Sequence, residues 1–427
     1  MKLIDKIKEY FSSKNDEKDQ SNITYELIIE ALNDYKSFIP EIDNLKNHKH
    51  YKIEETEQII LNLINDDESV LFIQDEHGKT IGMKAAEFEF EKVALRILDN
   101  REASLIQDNN GWNIGIISAF YGLKDATMKA LDNEELSCQQ TSHGMNIGRA
   151  CFWGNIYEGV LKALDNEVAS LQEVDEYGNN IGMLCAENKF EEGVLKALDN
   201  KKASLMQDYK GRNMGMLSAE NGLEKATLKA LDNKEASLQQ AVGGYNIGMF
   251  AARTLNETVV LKALDNYEAS VQVDNRNHNI GMLSAIYKLP IATNKALDNF
   301  EASIQQDTDG RNIGMFAAEF GLEDCVVKAL DNEVARNQVE DGTEENMAMK
   351  SARSQLKNAV LKSLEFKDIR EYETSRQNNM VSVFDYIIRY MGEDQDLIDQ
   401  ANELYLQDFK SDMEDELDFE TDDGKEN

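Results

Sequence analysis

Proline is nearly missing from this chain of 427 residues: Pro40 and Pro290 are the only two. With so few breakers, the chain is expected to be mostly helical. Basic charge is also scarce. Lys and Arg number 45 against 80 Asp and Glu, a net charge of −35. That balance argues against direct nucleic-acid binding through a basic surface. It suits solubility, a basic partner, or mimicry of a polyanion. The four cysteines, Cys138, Cys151, Cys185 and Cys325, include no CxxC pair, so neither a zinc knuckle nor a disulfide framework is indicated. Buried reduced thiols are expected. No apolar run reaches the ~18 residues of a membrane span, and no membrane contact is expected. The opening MKLIDKIKEYF mixes charges into its apolar residues and reads as an amphipathic helix rather than a secretory signal. A cytoplasmic monomer is expected, with export by another signal left open.

Catalytic motifs are absent as well. GKT at 78–80 lacks the earlier glycine of a phosphate-binding loop, because position 73 is Ile. There is no HExxH and no nucleophile elbow. His77, His143 and His278 lie at turns a repeat or more apart. His48 and His50 share the stretch NHKHYK, which reads as an exposed polar turn or, alternatively, a metal contact. Carboxylates are too abundant to single out a pair. The chain is expected to be no enzyme, with no cofactor and no metal.

What the chain does have is a period. Gly82, Gly115, Gly148, Gly182, Gly215, Gly248, Gly281 and Gly314 recur at steps of 33, with one step of 34 after Gly148. Ala348 and Val381 continue the series. In each unit a turn such as DYKG (208–211) or DTDG (307–310) precedes an Asn, for example Asn213 or Asn312. That Asn is expected to N-cap a helix of about nine residues. A second helix follows, as in EEGVLKALDN (191–200). Its first turn often carries an acid (Glu91, Glu158, Glu191, Glu257, Glu323) facing the positive helix end. Pro290 stands at the tolerated first position. The second helix runs to Leu-Asp-Asn, whose Asn (Asn133, Asn200, Asn332) is expected to take a left-handed cap.

Two short antiparallel helices and a turn in 33 residues, written G-x-N-I-G-M-x-x-A, resemble the ankyrin repeat with its G-x-T-P-L-H-x-A-A. NIGMLCAENKFEEGVLKALDN (180–200) superimposes on that pattern without gaps, and Thr80 keeps the threonine. Ile and Met replace the family's Pro and His, and Asn-Lys-Glu-Ala (233–236) stands where Gly-Ala is usual. Most finger loops are one residue shorter, so the β-hairpin finger is expected to be altered or reduced. The resemblance implies a mainly α, elongated repeat solenoid of about ten to eleven units that recognises proteins through a concave surface.

Five segments follow: an amphipathic helix and polar linker (1–22), a degenerate capping repeat (23–75), the repeat array (76–366), a helical cap (367–409) and an acidic tail (410–427). In the cap, 379–391 and 396–409 are expected to pair in register with the repeats. The tail is expected to be disordered, and to serve as a solubiliser or a weak docking peptide. Each helical glycine costs about 1 kcal/mol relative to alanine. The expected return is close approach of neighbouring backbones, in which case Gly182→Leu destabilises; otherwise the glycine merely opens the helix. Lysines from Lys129 to Lys328 recur with an Asp three residues on, and are expected to form i,i+3 pairs on a solvated convex face.

Residues needed for stacking recur, whereas residues selected for a partner need not. In an ankyrin-like stack, the residue before the helix-capping Asn and those ending the first helix line the concave face. There Trp112, Phe120, Tyr121, Met145, Arg149 and Trp153 are expected to form one patch, which holds the only two tryptophans. Tyr245, Arg253, His278, Ile286 and Tyr287 form a second. Trp, Tyr, Met and Arg are typical interface anchors. The expected function is non-catalytic protein binding, as adaptor, inhibitor or effector. The alternatives are an acidic inhibitor that mimics nucleic acid to block a basic site, a structural spacer, or an aromatic patch covered by the N-terminal helix or buried in the core.

Overall fold

The computed structural model describes residues 23–33, 46–376 and 379–407, and the chain is mainly helical. The N-terminal amphipathic helix and the acidic tail expected from the sequence lie outside the described residues. The chain divides into two compact units, Met1–Tyr209 and Lys210–Asn427. Each is built from the same three-helix repeat.

The first helix of each repeat spans about two turns, for example Ile114–Phe120 in the N-terminal unit and Ile280–Ile286 in the C-terminal one. The expected N-cap is present: Asn113 Oδ1 accepts from the Ile116 amide at 2.7 Å, and Asn279 from Met282 at 2.9 Å. First helices pack side by side within each unit, and so do second helices. Most second helices open on an apolar residue with no side-chain cap, such as Leu123 or Leu289; Asn256, which caps Glu257–Ala263, is an exception. The cap comes from the preceding repeat. Glu91 Oε1 accepts from the Asp125 and Ala126 amides at 2.8 and 3.2 Å, and Glu257 does the same for Ile291 and Ala292. These acids therefore meet the positive end of a neighbour's helix.

Three expectations are corrected. The Asn of Leu-Asp-Asn is not a left-handed cap: Asn133, Asn200 and Asn332 have φ of −93°, −86° and −88°. Each N-caps a third short helix, as in Lys201–Leu205 or Glu333–Arg336. Its amide also reaches the Ser of the preceding repeat, as Asn200 to Ser170 (3.1 Å) and Asn332 to Ser303 (2.8 Å). Among the described repeat loops, strand-like pairing is reduced to an isolated bridge within one loop, Gln74 with Thr80. Second, the lysines do not pair with the Asp three residues on. Lys129 reaches Asp99, Lys162 reaches Asp132, and Lys295 reaches Asp265, at 2.5 Å each. The same ammonium groups hydrogen-bond the last carbonyls of the preceding second helix, as Lys295 to Leu261 O at 2.7 Å. An axial step between stacked helices suits a four-carbon side chain better than a turn of its own helix. Third, Val381 does not continue the glycine series. It lies in a strand, Asn379–Ser382, paired antiparallel with Glu373–Arg376, and the next helix starts at Val383 behind a Ser382 capping box.

The helical glycines seat side chains rather than backbones. A Cβ on Gly248 would stand 2.6 Å from Ile280 Cδ1 and 2.8 Å from Ala263 Cβ. Gly115 faces Ile147 and Ala130 in the same way. The first residue of the following first helix fills the place of the missing Cβ: an isoleucine for Gly82, Gly115, Gly148, Gly215, Gly248 and Gly281, and Met347 for Gly314. A buried amide network completes the stack: Asn279 Nδ2 donates to Ala302 O and Gln305 Oε1, both at 2.8 Å, and Gln305 Nε2 donates to Val271 O one repeat back.

The N-terminal end follows the same logic. Helix Lys46–Asp66 packs where a second helix would, and its buried Glu57 accepts from the Lys92 amide at 2.9 Å. Helix 23–33 adds Ile28 and Leu32 to that core.

Candidate functional site

The loop before most first helices is fixed by an Asp, or by Thr141, whose side-chain oxygen accepts from the second and fourth amides beyond it; Ala241, at that position in another repeat, offers none. Asp108 does so for Asn110 and Trp112, and Asp307 for Asp309 and Arg311. The residue preceding the helix cap is therefore held in one orientation. It meets the residue eight positions on, at the far end of the same first helix. Most of these couples are polar and satisfy themselves: Lys79 with Glu87, Asn179 with Glu187 at 3.3 Å, Arg212 with Glu220 at 2.8 Å, and Glu345 with Arg353 at 2.9 Å. Tyr245 and Arg253 form a cation–π pair at 5.2 Å.

The couples beginning at Trp112 and Met145 differ. Trp112 meets Phe120 edge-on, with ring centroids 5.7 Å apart. Phe120 also touches Tyr121 at 5.4 Å and stacks on Trp153 of the next repeat at 5.8 Å. Trp153 is 60% exposed and Tyr121 44%, while Trp112, Phe120 and Met145 are half-buried. Gly154 makes this contact feasible: a Cβ there would overlap the Ala119 carbonyl and press on Gly122. The sequence-predicted N-terminal patch is thus brought together. Arg149 borders it, half-buried, with Nη1 donating to the Val174 carbonyl at 2.5 Å. Beside it lies an open groove of about 400 Å³ lined by Arg149, Phe152, Trp153, Leu184 and Asn188.

Phe152 and Leu184 were missed by sequence reasoning, though a signal existed. Phe152 occupies a position that is alanine in neighbouring repeats (Ala119, Ala186, Ala252), and so cannot be part of the common core.

The second sequence-predicted group does not form one exposed patch. His278 is only 8% exposed. Its ring stands 3.2 Å from Asp274 and 3.6 Å from Asp307, with Phe316 edge-on at 5.6 Å. Two flanking carboxylates on successive repeats draw the ring inward. Ile286 packs against the core, and Tyr287 is half-buried. Arg253 is exposed over Tyr245 and Phe250.

Burial pushes the Cys151 thiol up to about 12 and Cys325, also beside Asp324, up to about 11; neither is a thiolate nucleophile at neutral pH. Among the described residues, no cluster of three His, Cys, Asp or Glu has metal-binding geometry, and no helix is long and apolar enough to cross a membrane. No protein-family model matches the chain, and comparison with curated proteins finds no significant match.

Proposed function

We propose that this chain is a non-catalytic protein-binding scaffold of ankyrin-like construction. Its contact surface is the aromatic face formed by Trp112, Phe120, Tyr121 and Trp153. The observation that carries this reading is the solvent exposure of Trp153, 60%, on a ring already stacked against Phe120. Large aromatic surface left in water stores binding energy for a partner, and pre-stacking limits the side-chain entropy lost on association. The stacked three-helix repeats within each unit support the solenoid reading, as does the recurring Asn-Ile-Gly-Met signature. The third helix in place of a finger hairpin is this chain's departure from the ankyrin pattern.

The test is affinity measurement with a purified partner captured on the wild-type chain. Trp153→Ala is expected to weaken binding by about tenfold or more, as for an interface anchor, with little dependence on salt. Binding that collapses with added salt and ignores Trp153→Ala supports the acidic-mimic alternative instead.

A further inference from the structure

Arg149 breaks the repeat. The same position holds Met83, Ile116, Met183, Met216, Met249, Met282 and Met315, all buried and apolar. Arg149 is half-buried, and its guanidinium has the Val174 carbonyl as its hydrogen-bond partner. Among the described residues no carboxylate lies within ion-pairing distance of it. Lys124, Lys129 and Lys162 of the flanking repeats each hold one. In a chain with 80 acids against 45 bases, other cations without an acid, such as Arg253, Arg276 and Lys288, are exposed, whereas Arg149 is half-buried. Guanidinium has five N–H donors in a planar fork, so most remain for a ligand. The adjoining groove has apolar walls in Phe152, Trp153 and Leu184, an amide in Asn188, and no carboxylate.

We infer that this groove takes an extended segment of a partner protein that presents an aromatic or aliphatic side chain next to a carboxylate. The carboxylate meets the Arg149 fork, whose geometry matches it bidentately. The apolar side chain lies against Trp153. The inference rests on the aromatic face being the binding surface. A polyphosphate does not fit, because the net charge of −35 repels it along its length. A single carboxylate inside the groove is governed by charges within the screening length of about 8 Å.

The experiment is selection of random displayed peptides on the full-length chain, followed by titration of synthetic versions. The chain's two tryptophans, Trp112 and Trp153, both belong to this face, so intrinsic tryptophan fluorescence reads the site directly. Wild type is expected to enrich peptides with Asp or Glu beside a large apolar residue. Replacing that acid by its amide is expected to weaken binding about tenfold, the scale of one charge-assisted hydrogen bond. Arg149→Met, which installs the residue of neighbouring repeats, is expected to unfold at an unchanged temperature and to bind acid and amide peptides alike. Trp153→Ala is expected to lose both. Enrichment of neutral or basic peptides, or equal affinity of acid and amide forms for wild type, overturns the inference while leaving the aromatic face intact. Enrichment of no peptide sensitive to Trp153→Ala overturns both. Should Arg149→Met fail to fold, the acid-to-amide comparison on wild type decides alone.

Discussion

Gly248 shows how a single residue is read two ways. Helix propensity alone favours alanine there by about 1 kcal/mol. Packing reverses the sign, because Ile280 Cδ1 and Ala263 Cβ already occupy the space. Gly248→Ala is expected to destabilise by about 1–3 kcal/mol, the usual cost of overpacking, in urea unfolding followed by circular dichroism. Ile280→Val, which removes Cδ1, should recover part of that loss in the Gly248→Ala background. A stabilised Gly248→Ala would show that the glycine only opens the helix. The recurrence of glycine was plain in the sequence. Its partner was not, because the residue that fills the gap is 32 positions away, at the start of the next first helix.

At the scale of the element, these helices are too short to stand alone: Ile280–Ile286 has seven residues, well under the 12–15 or so that an isolated helix needs in water. Their orphan backbone groups are satisfied largely from neighbouring repeats. Two classes of bond do this, and they differ in worth. Asn279 is fully buried and serves the Met282 amide, Ala302 O and Gln305 at once. Asn279→Ala removes a helix cap and strands buried polar groups, and is expected to cost about 3 kcal/mol. Asp265→Asn breaks the pair with Lys295, in which the Asp is largely exposed, and leaves the Lys295 bond to the Leu261 carbonyl in place. Water screens the pair, so the expected cost is on the order of 0.5 kcal/mol. Chemical denaturation of the two variants side by side checks the ranking. Equal losses would mean that the surface ladder, not the amide network, couples the repeats.

For the molecule as a whole, acid sensitivity follows from carboxylates that their neighbours hold ionised. Burial works to raise the Glu340 pKa, but hydrogen bonds from Thr343 and Lys350, with the charges of Lys350 and Arg311, outweigh it and hold it below the ordinary glutamate value. Lys350 itself is 1% exposed and 3.0 Å from Glu340. A carboxyl with a depressed folded pKa contributes stability that is complete above its unfolded value. That contribution disappears as pH falls through the folded value. Wild type is therefore expected to lose stability relative to Glu340→Gln as pH drops below about 4.5, with Glu340→Gln the less stable at neutral pH. Thermal unfolding of both across that window gives the difference. Comparing the two removes the relief of self-repulsion on acidification, which acts on both chains alike. Parallel curves would show that Glu340 is not held ionised by its neighbours.

The amino-acid sequence by itself determined the period, the helical class, the Asn caps of the first helices and the aromatic group around Trp112 and Trp153. Each is written in local chemistry: cap residues, apolar spacing, and departures from a repeated pattern. Tertiary structure alone decided where the lysines and glutamates point, that Asn133 opens a third helix, that His278 turns inward between Asp274 and Asp307, and that a groove opens beside Arg149. In all of these cases but Asn133 a side chain meets the next or preceding repeat. A period read along the chain says that such neighbours exist, but the height and rotation of one helix against another decide which atoms come within reach.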